Sequence, residues 1–156
     1  MKRRGKAPVR KAAARSSVAR RKRRQAMTHF ARAFALEASN PEAARDAYRA
    51  ALDLHAGQLE ATINLGRLLH LQGALAAAEL IYRAAEHDSA LLSFNIALLL
   101  EDLQRDDEAA GAYRAALELE PTMHEAHFHL SVLHERQQRP REALRHLLAY
   151  RRMSRS

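Results

Sequence analysis

Four times along the chain an alanine is followed, at fixed distances, by the same kinds of residue. Ala44, Ala78, Ala109 and Ala143 are spaced 34, 31 and 34 residues apart. Four residues after them stand Tyr48, Tyr82, Tyr113 and Leu147; seven residues after them stand Ala51, Ala85, Ala116 and Tyr150. Thirteen residues ahead of the last three alanines are Leu65, Ile96 and Leu130, each followed by a small residue, Gly66, Ala97 or Ser131. Offsets of three, four and seven mark one face of a helix. A period near 34 that holds two such patterns specifies an array of helix hairpins. One hairpin cannot bury both of its faces, so several must stack, and stability becomes a sum over neighbours.

The close packing this requires explains the composition. The chain is 47% hydrophobic but only 5% aromatic, because alanine carries much of the apolar fraction. Gly66, Ala97 and Ser131 on the first helix of a pair, facing Ala78, Ala109 and Ala143 on the second, let two helices approach; leucine at Ala78 or Ala109 would force them apart. Tyr48, Tyr82 and Tyr113 are wide enough to bridge to the next pair, and Tyr150 stands where the other units carry alanine. With no cysteine, disulfides, cysteine-based zinc sites and a thiol nucleophile are excluded. The longest uncharged apolar run, from Ser89 to Leu100, is shorter than the roughly 20 residues that span a bilayer. No secretory signal is expected, since no apolar segment follows the N-terminal charges.

Charge divides the chain. Residues 1–36 hold 13 Lys or Arg and no acid, whereas the remainder holds 13 Arg against 18 acids. Residues 1–24 therefore read as a basic, largely disordered arm, with Val18 to Gln25 able to extend the first helix because Ala, Arg, Lys and Gln are good helix formers. Residues 25–152 read as the array, with hairpins at about 25–55, 58–87, 91–119 and 122–152 and a short tail at 153–156. Met27, Phe30, Ala31, Phe34, Ala35 and Ala38 form the expected inner face of the opening helix. Asn40-Pro41 and Arg139-Pro140 restart helices, Gly73 supplies a turn, Gln104-Arg105-Asp106 replaces the next glycine turn, and Pro121 ends a helix. The fourth helix is expected to run from Ala74 to His87, with a shortened linker near Asp88 to Leu91.

These residues resemble the tetratricopeptide repeat. Asn64-Leu65-Gly66 with Ala78, Tyr82 and Ala85 carries the resemblance, as does Asn95-Ile96-Ala97 with Ala109, Tyr113 and Ala116 through Pro121. It covers about residues 28–150, some four repeats; Arg32 stands where the first repeat should have a small residue. The array also resembles the repeat portion of bacterial proteins that join such repeats to a MerR-like helix-turn-helix domain, although no helix-turn-helix fits in residues 1–27. The resemblance implies an all-α right-handed superhelix with a concave groove that holds a peptide or partner helix, in a non-enzymatic scaffold without cofactor.

The family's groove is lined by the first helix of each pair. The resemblance therefore assigns groove roles to Asn64, Arg67, Asn95, Leu98, Glu101, Phe128, His129 and Val132. Asn64 and Asn95 are equivalent, and an amide that both donates and accepts can hold a peptide backbone without reading its sequence. Glu125 and His129 occupy places where the family's carboxylate clamp has cations, so a C-terminal carboxylate is disfavoured; Glu101, Asp102 and Glu135 favour a basic or mixed ligand. His124 and His127 share a helix face at metal-ligand spacing, but no HExxH is present and no metal is expected. No phosphate loop, nucleophile elbow or carboxylate pair is evident, so the chain reads as a cytoplasmic binding protein and not an enzyme. The alternative is docking through the arm. Arg20, Arg21, Lys22, Arg23 and Arg24 are its candidate nucleic-acid contacts, which would also suit an anionic surface; the aromatic residues of a base-stacking platform are missing. The acid-free N-terminus also resembles an organelle transit peptide.

Overall fold

The structure, a computed structural model, describes the backbone of residues 7–155 and the side chains of residues 15–155. Among the described residues there are eight helices and no strand: α1 (Ala7–Leu36), α2 (Pro41–Leu54), α3 (Leu59–Leu71), α4 (Leu75–Arg83), α5 (Ala90–Asp102), α6 (Asp106–Leu119), α7 (His124–Arg136) and α8 (Pro140–Met153). Consecutive helices pair as α1 with α2, α3 with α4, α5 with α6 and α7 with α8, and each pair packs on the next. The fold is thus the all-α stack of four hairpins that the period specifies. Of the largely disordered arm expected over residues 1–24, residues 1–6 lie outside the described residues. From Ala7 the backbone is helical, so the extension expected through Val18 to Gln25 is present and reaches further back.

Local chemistry sets the ends. Asn40 accepts the Ala43 N–H at 3.1 Å and Pro41 opens α2, where a missing N–H costs nothing. Ser89 caps α5 by accepting from the Leu92 N–H at 3.0 Å. Gly73 turns with φ +75°, and Gln104 and Gln138, at the corresponding places, turn with φ 58° and 57°. A side chain in this left-handed region costs roughly 1–2 kcal/mol, of which glycine's extra chain entropy offsets a part. Gln138→Gly is therefore expected to raise stability by about 0.5–1 kcal/mol, read as a higher urea midpoint with unchanged slope.

Two expectations are corrected. The fourth helix stops at Arg83, not His87, and has nine residues where α2, α6 and α8 have 14. The 31-residue step is taken out of this helix: the chain must leave α4 a turn early for α5 to stack in register on α3, which it touches directly. The inner face of α1 is also rotated. Met27 and Phe34 are exposed, while Ala26 and Ala33 are fully buried and Phe30 packs on Tyr48 with ring centroids 5.6 Å apart. The cause is a path one residue shorter: Ala33 precedes Ala44 by eleven residues, whereas Gly66, Ala97 and Ser131 precede Ala78, Ala109 and Ala143 by twelve. Ala33, not Arg32, therefore takes the place of Gly66, Ala97 and Ser131, and Phe30 takes the place of Phe94, which packs on Tyr113 at 5.5 Å.

The interior is built of the small and wide residues read from the repeat. Ala44, Ala78 and Ala109 are fully buried, as are Tyr48 and Tyr113, and Tyr82 nearly so. Helix α5 joins two clusters. Leu92 and Leu99 pack with the first two hairpins, Ala97 and Leu100 with the last two, and Ile96 touches both.

Candidate functional site

The first helix of each hairpin contributes to one continuous face. Side-chain bridges near the ends of these helices tie it together. Arg67 of α3 bonds Glu37, just after α1. His70 of α3 meets Asp102 of α5 at 2.6 Å, and His129 and Arg136 of α7 reach Glu101 of α5 at 2.9 and 2.8 Å.

Glu101 is the centre of the largest of these networks. Its carboxylate accepts from the Tyr113 hydroxyl at 2.6 Å as well as from His129 and Arg136, and Arg136 also reaches Asp106 at 3.3 Å. Burial alone would raise its pKa, but the bonds from His129 and Tyr113 and the charge of Arg136 outweigh burial and hold the carboxyl below its ordinary range. Burial and the same hydrogen bond push the Tyr113 phenol upward. His129 is stacked on Tyr113 at 5.2 Å and met edge-on by Phe94 and Phe128. In the first hairpin Glu37 plays the same part: the Tyr48 hydroxyl donates to it at 2.5 Å. Glu37 stands four residues after Ala33, as Glu101 stands four after Ala97, and so falls in the same register. His70 occupies that register in the second hairpin but turns to Asp102, and the buried Tyr82 hydroxyl has no partner among the described residues.

The residues assigned to the groove therefore separate. Phe128 is exposed, and Leu98 and Val132 are half-buried on the same face. Asn64 donates to the Tyr48 hydroxyl at 3.1 Å. Asn95 is buried and donates to the Leu91 carbonyl of its own helix at 2.7 Å. Arg67, Glu101 and His129 are held in the bridges, which neutralise the acid that a basic ligand would seek. Sequence reasoning missed Phe34, Met27 and Leu91. The register places Phe34 with Arg67, Leu98 and Val132, and Met27 with Leu91, and all three are more than half exposed. For Phe34 and Met27, the signal that could have found them was the spacing of Ala33 from Ala44, eleven residues against twelve in the other hairpins.

The histidines meet away from this face. His127 and His146 approach through their Nδ1 atoms at 2.9 Å, and His134 stacks on His146 at 5.6 Å. The bond between two ring nitrogens requires at least one neutral ring. Burial first, then His127, His134, Arg145 and Arg114, lower the pKa of His146 from 6.5 to about 4. His127 and His134 are lowered as well, mainly by burial. His124 stacks on Tyr150, and among the described residues no group of three His, Asp or Glu is arranged for a metal. A lowered folded-state pKa means that the folded protein binds fewer protons than the unfolded chain, so stability is full above pH 6.5 and falls as the pH drops toward 4. The loss is expected to be on the order of 2 kcal/mol after solvent screening, read as a falling melting temperature between pH 7 and 4.5 that flattens in His146→Gln.

The sequence profile of the tetratricopeptide repeat matches residues 35–93 and 94–156. The chain belongs to the tetratricopeptide repeat family. Solved structures agree on the fold. MamA from Desulfovibrio magneticus RS-1 superposes with a TM-score of 0.74 at 18% identity, over 88% of this chain and 80% of that one. The pilF protein of Pseudomonas aeruginosa gives 0.76 at 18% identity, over 86% and 63%. A tetratricopeptide repeat protein from Parabacteroides merdae gives 0.73 at 19% identity, over 81% and 52%. No curated protein matches the sequence. The family is generally one of non-catalytic scaffolds for protein partners, and no described helix is long and apolar enough to cross a membrane.

Proposed function

We propose that this tetratricopeptide repeat protein is a cytoplasmic, non-enzymatic scaffold. It holds an amphipathic helix or extended segment of a partner protein against the face formed by α1, α3, α5 and α7. The observation that carries this reading is the row of large apolar side chains left in water there: Phe34 at 65% exposure, Met27 at 62%, Leu91 at 53% and Phe128 at 42%. Apolar side chains spaced along parallel helices suit a ligand that presents an apolar stripe, and desolvating aromatic anchors supplies most of the affinity in such grooves. Leu98 and Val132 would extend the apolar seat, while Asn64, Arg67, Glu101 and His129 supply polar groups at its edge, and Asn95 lies buried beneath it. Because the bridges already neutralise Arg67 and Glu101, they position the face more than they select ligand charge.

Asn64→Ala with Asn95→Ala is expected to weaken capture of a partner by about tenfold. Thermal unfolding should shift little, since only the Tyr48 contact and one intrahelical bond are lost. Capture unchanged in the double variant would remove the amides from the site.

The arm supports a second reading. Residues 20–24 are all exposed on a helix that carries no acidic residue. Sequence-blind binding to duplex DNA through Arg20 to Arg24 would fall steeply with salt and vanish on removal of residues 1–24. The comparisons lend this reading no support, and no binding near physiological salt would end it.

A further inference from the structure

The outer side of α8 repeats a seat that the array fills three times within itself. Leu147 stands where Tyr48, Tyr82 and Tyr113 stand, and Leu144 stands where Arg45, Glu79 and Ala110 stand. The three tyrosines and Ala110 are buried, at 0–3% exposure, under the stacked helices, and Arg45 and Glu79 are half-buried. Leu144 and Leu147 are instead 55% and 38% exposed, and α8 has no buried residue. The first helix of the following hairpin covers the equivalent surface at α2, α4 and α6. The shape of the α8 face is therefore that of a seat for one antiparallel helix.

Its charge differs from that of the filled seats, of which α4 has the exposed Glu86 and the other two have leucine at the place of Arg151. Arg151 occupies the place of Leu52 and Leu117, which are half-buried and pack against the core. Arg141 and Arg145 flank the leucines, and Leu148 extends the apolar strip. A purely apolar helix seated here would strand the Arg151 guanidinium at the edge of the contact, whereas a carboxylate opposite it would be a favourable partner. A second copy of this chain stacked end to end is opposed by the same charges. The outer side of α1 places Arg32 where α3 has the buried Leu65, and antiparallel stacking brings Arg20 to Arg24 beside Arg151 and Arg155.

We propose that the outer face of α8 is a second docking site, distinct from the face of the opening helices, and that it takes an acidic amphipathic helix of a partner protein. Leucines or other apolar residues of that helix would lie on Leu144, Leu147 and Leu148, with its carboxylates against Arg141, Arg145 and Arg151.

The test uses two labelled synthetic helices with the same apolar stripe, one with glutamates and one with lysines on its flanks, titrated by fluorescence anisotropy against the full chain. The glutamate helix is expected to bind at least about tenfold more tightly than the lysine helix. Arg151→Glu should narrow or reverse that preference, and Leu144→Ser with Leu147→Ser should abolish binding while circular dichroism shows the array still folded. Asn64→Ala with Asn95→Ala should leave it unchanged, which separates this site from the opening-helix face. Equal binding of the two helices, or binding indifferent to Arg151→Glu and to the leucine substitutions, would overturn the proposal. So would self-association in sedimentation that the leucine substitutions remove, since it would assign the face to a second copy.

Discussion

Gly66→Ala should cost this protein about 3 kcal/mol, more than most single-atom additions to a core. A Cβ placed on Gly66 falls 2.6 Å from both Cδ1 and Cζ of the Tyr82 ring, and nearer still to Cε1, far inside van der Waals contact. The obstruction is a rigid ring with 2% exposure, so neither partner can swing into solvent. Ala33 and Ala97 carry a Cβ at the equivalent position opposite Tyr48 and Tyr113 without harm, and the difference lies in the tyrosines; Ser131 stands opposite Leu147. Tyr113 is anchored by Glu101 and Tyr48 by Glu37, whereas the Tyr82 hydroxyl has no such anchor and its ring lies over the glycine. At about 2–4 °C per kcal/mol for a chain of this length, the melting temperature should drop by roughly 6–12 °C. Tyr82→Leu in the same chain should recover part of the loss, because the two substitutions share one contact and are not additive. A fully additive pair would show that the ring is not what excludes the methyl group.

Glu101→Leu should be the most damaging charge removal, at about 2–4 kcal/mol. The leucine fills similar space but leaves the fully buried Tyr113 hydroxyl, the His129 ring and one bond of Arg136 without their acceptor. Glu101→Gln keeps an acceptor for Tyr113 and should cost about half as much, the rest being the charge paired with Arg136. The wild-type carboxyl is held below its ordinary pKa of 4.5, so its contribution is present above that pH and fades as the pH falls through the folded value. Glu101→Leu should remove this part of the acid sensitivity and leave that of the histidines. A melting temperature within a degree or so of wild type would mean that the network is not formed in solution.

The stack of hairpins was legible because it rests on spacing. Ala44, Ala78 and Ala109 at fixed offsets from Tyr48, Tyr82 and Tyr113 need no knowledge of the neighbours to be read as interior. Two features were not legible, and each has a local cause. The register of α1 depends on a spacing to Ala44 that is one residue shorter than in the other hairpins, and a gapless repeat alignment assigns Arg32 where Ala33 belongs. That error hid Phe34 among the interior residues when it is exposed, in the register of Arg67, Leu98 and Val132. The bridging roles of Glu101, His129 and Arg67 were hidden for another reason. A groove-lining polar residue looks the same in sequence whether it meets a ligand or the next hairpin. Only the distance between α5 and α7 decides that Glu101 is taken by His129 and Arg136. The early end of α4 was half legible: the 31-residue step showed that three residues were missing, but not that the helix itself would give up a turn.

The proposed binding face can be tested without knowing the partner. A photoreactive phenylalanine analogue placed in turn at Phe34, at Phe128 and at the exposed Leu80 of α4 compares the opening-helix face with a helix outside it. After irradiation in cells that make the protein, one shared covalent adduct is expected from positions 34 and 128 and none from position 80. Adducts from position 80 alone, or equal yields from all three, would contradict a partner held on the face of α1, α3, α5 and α7.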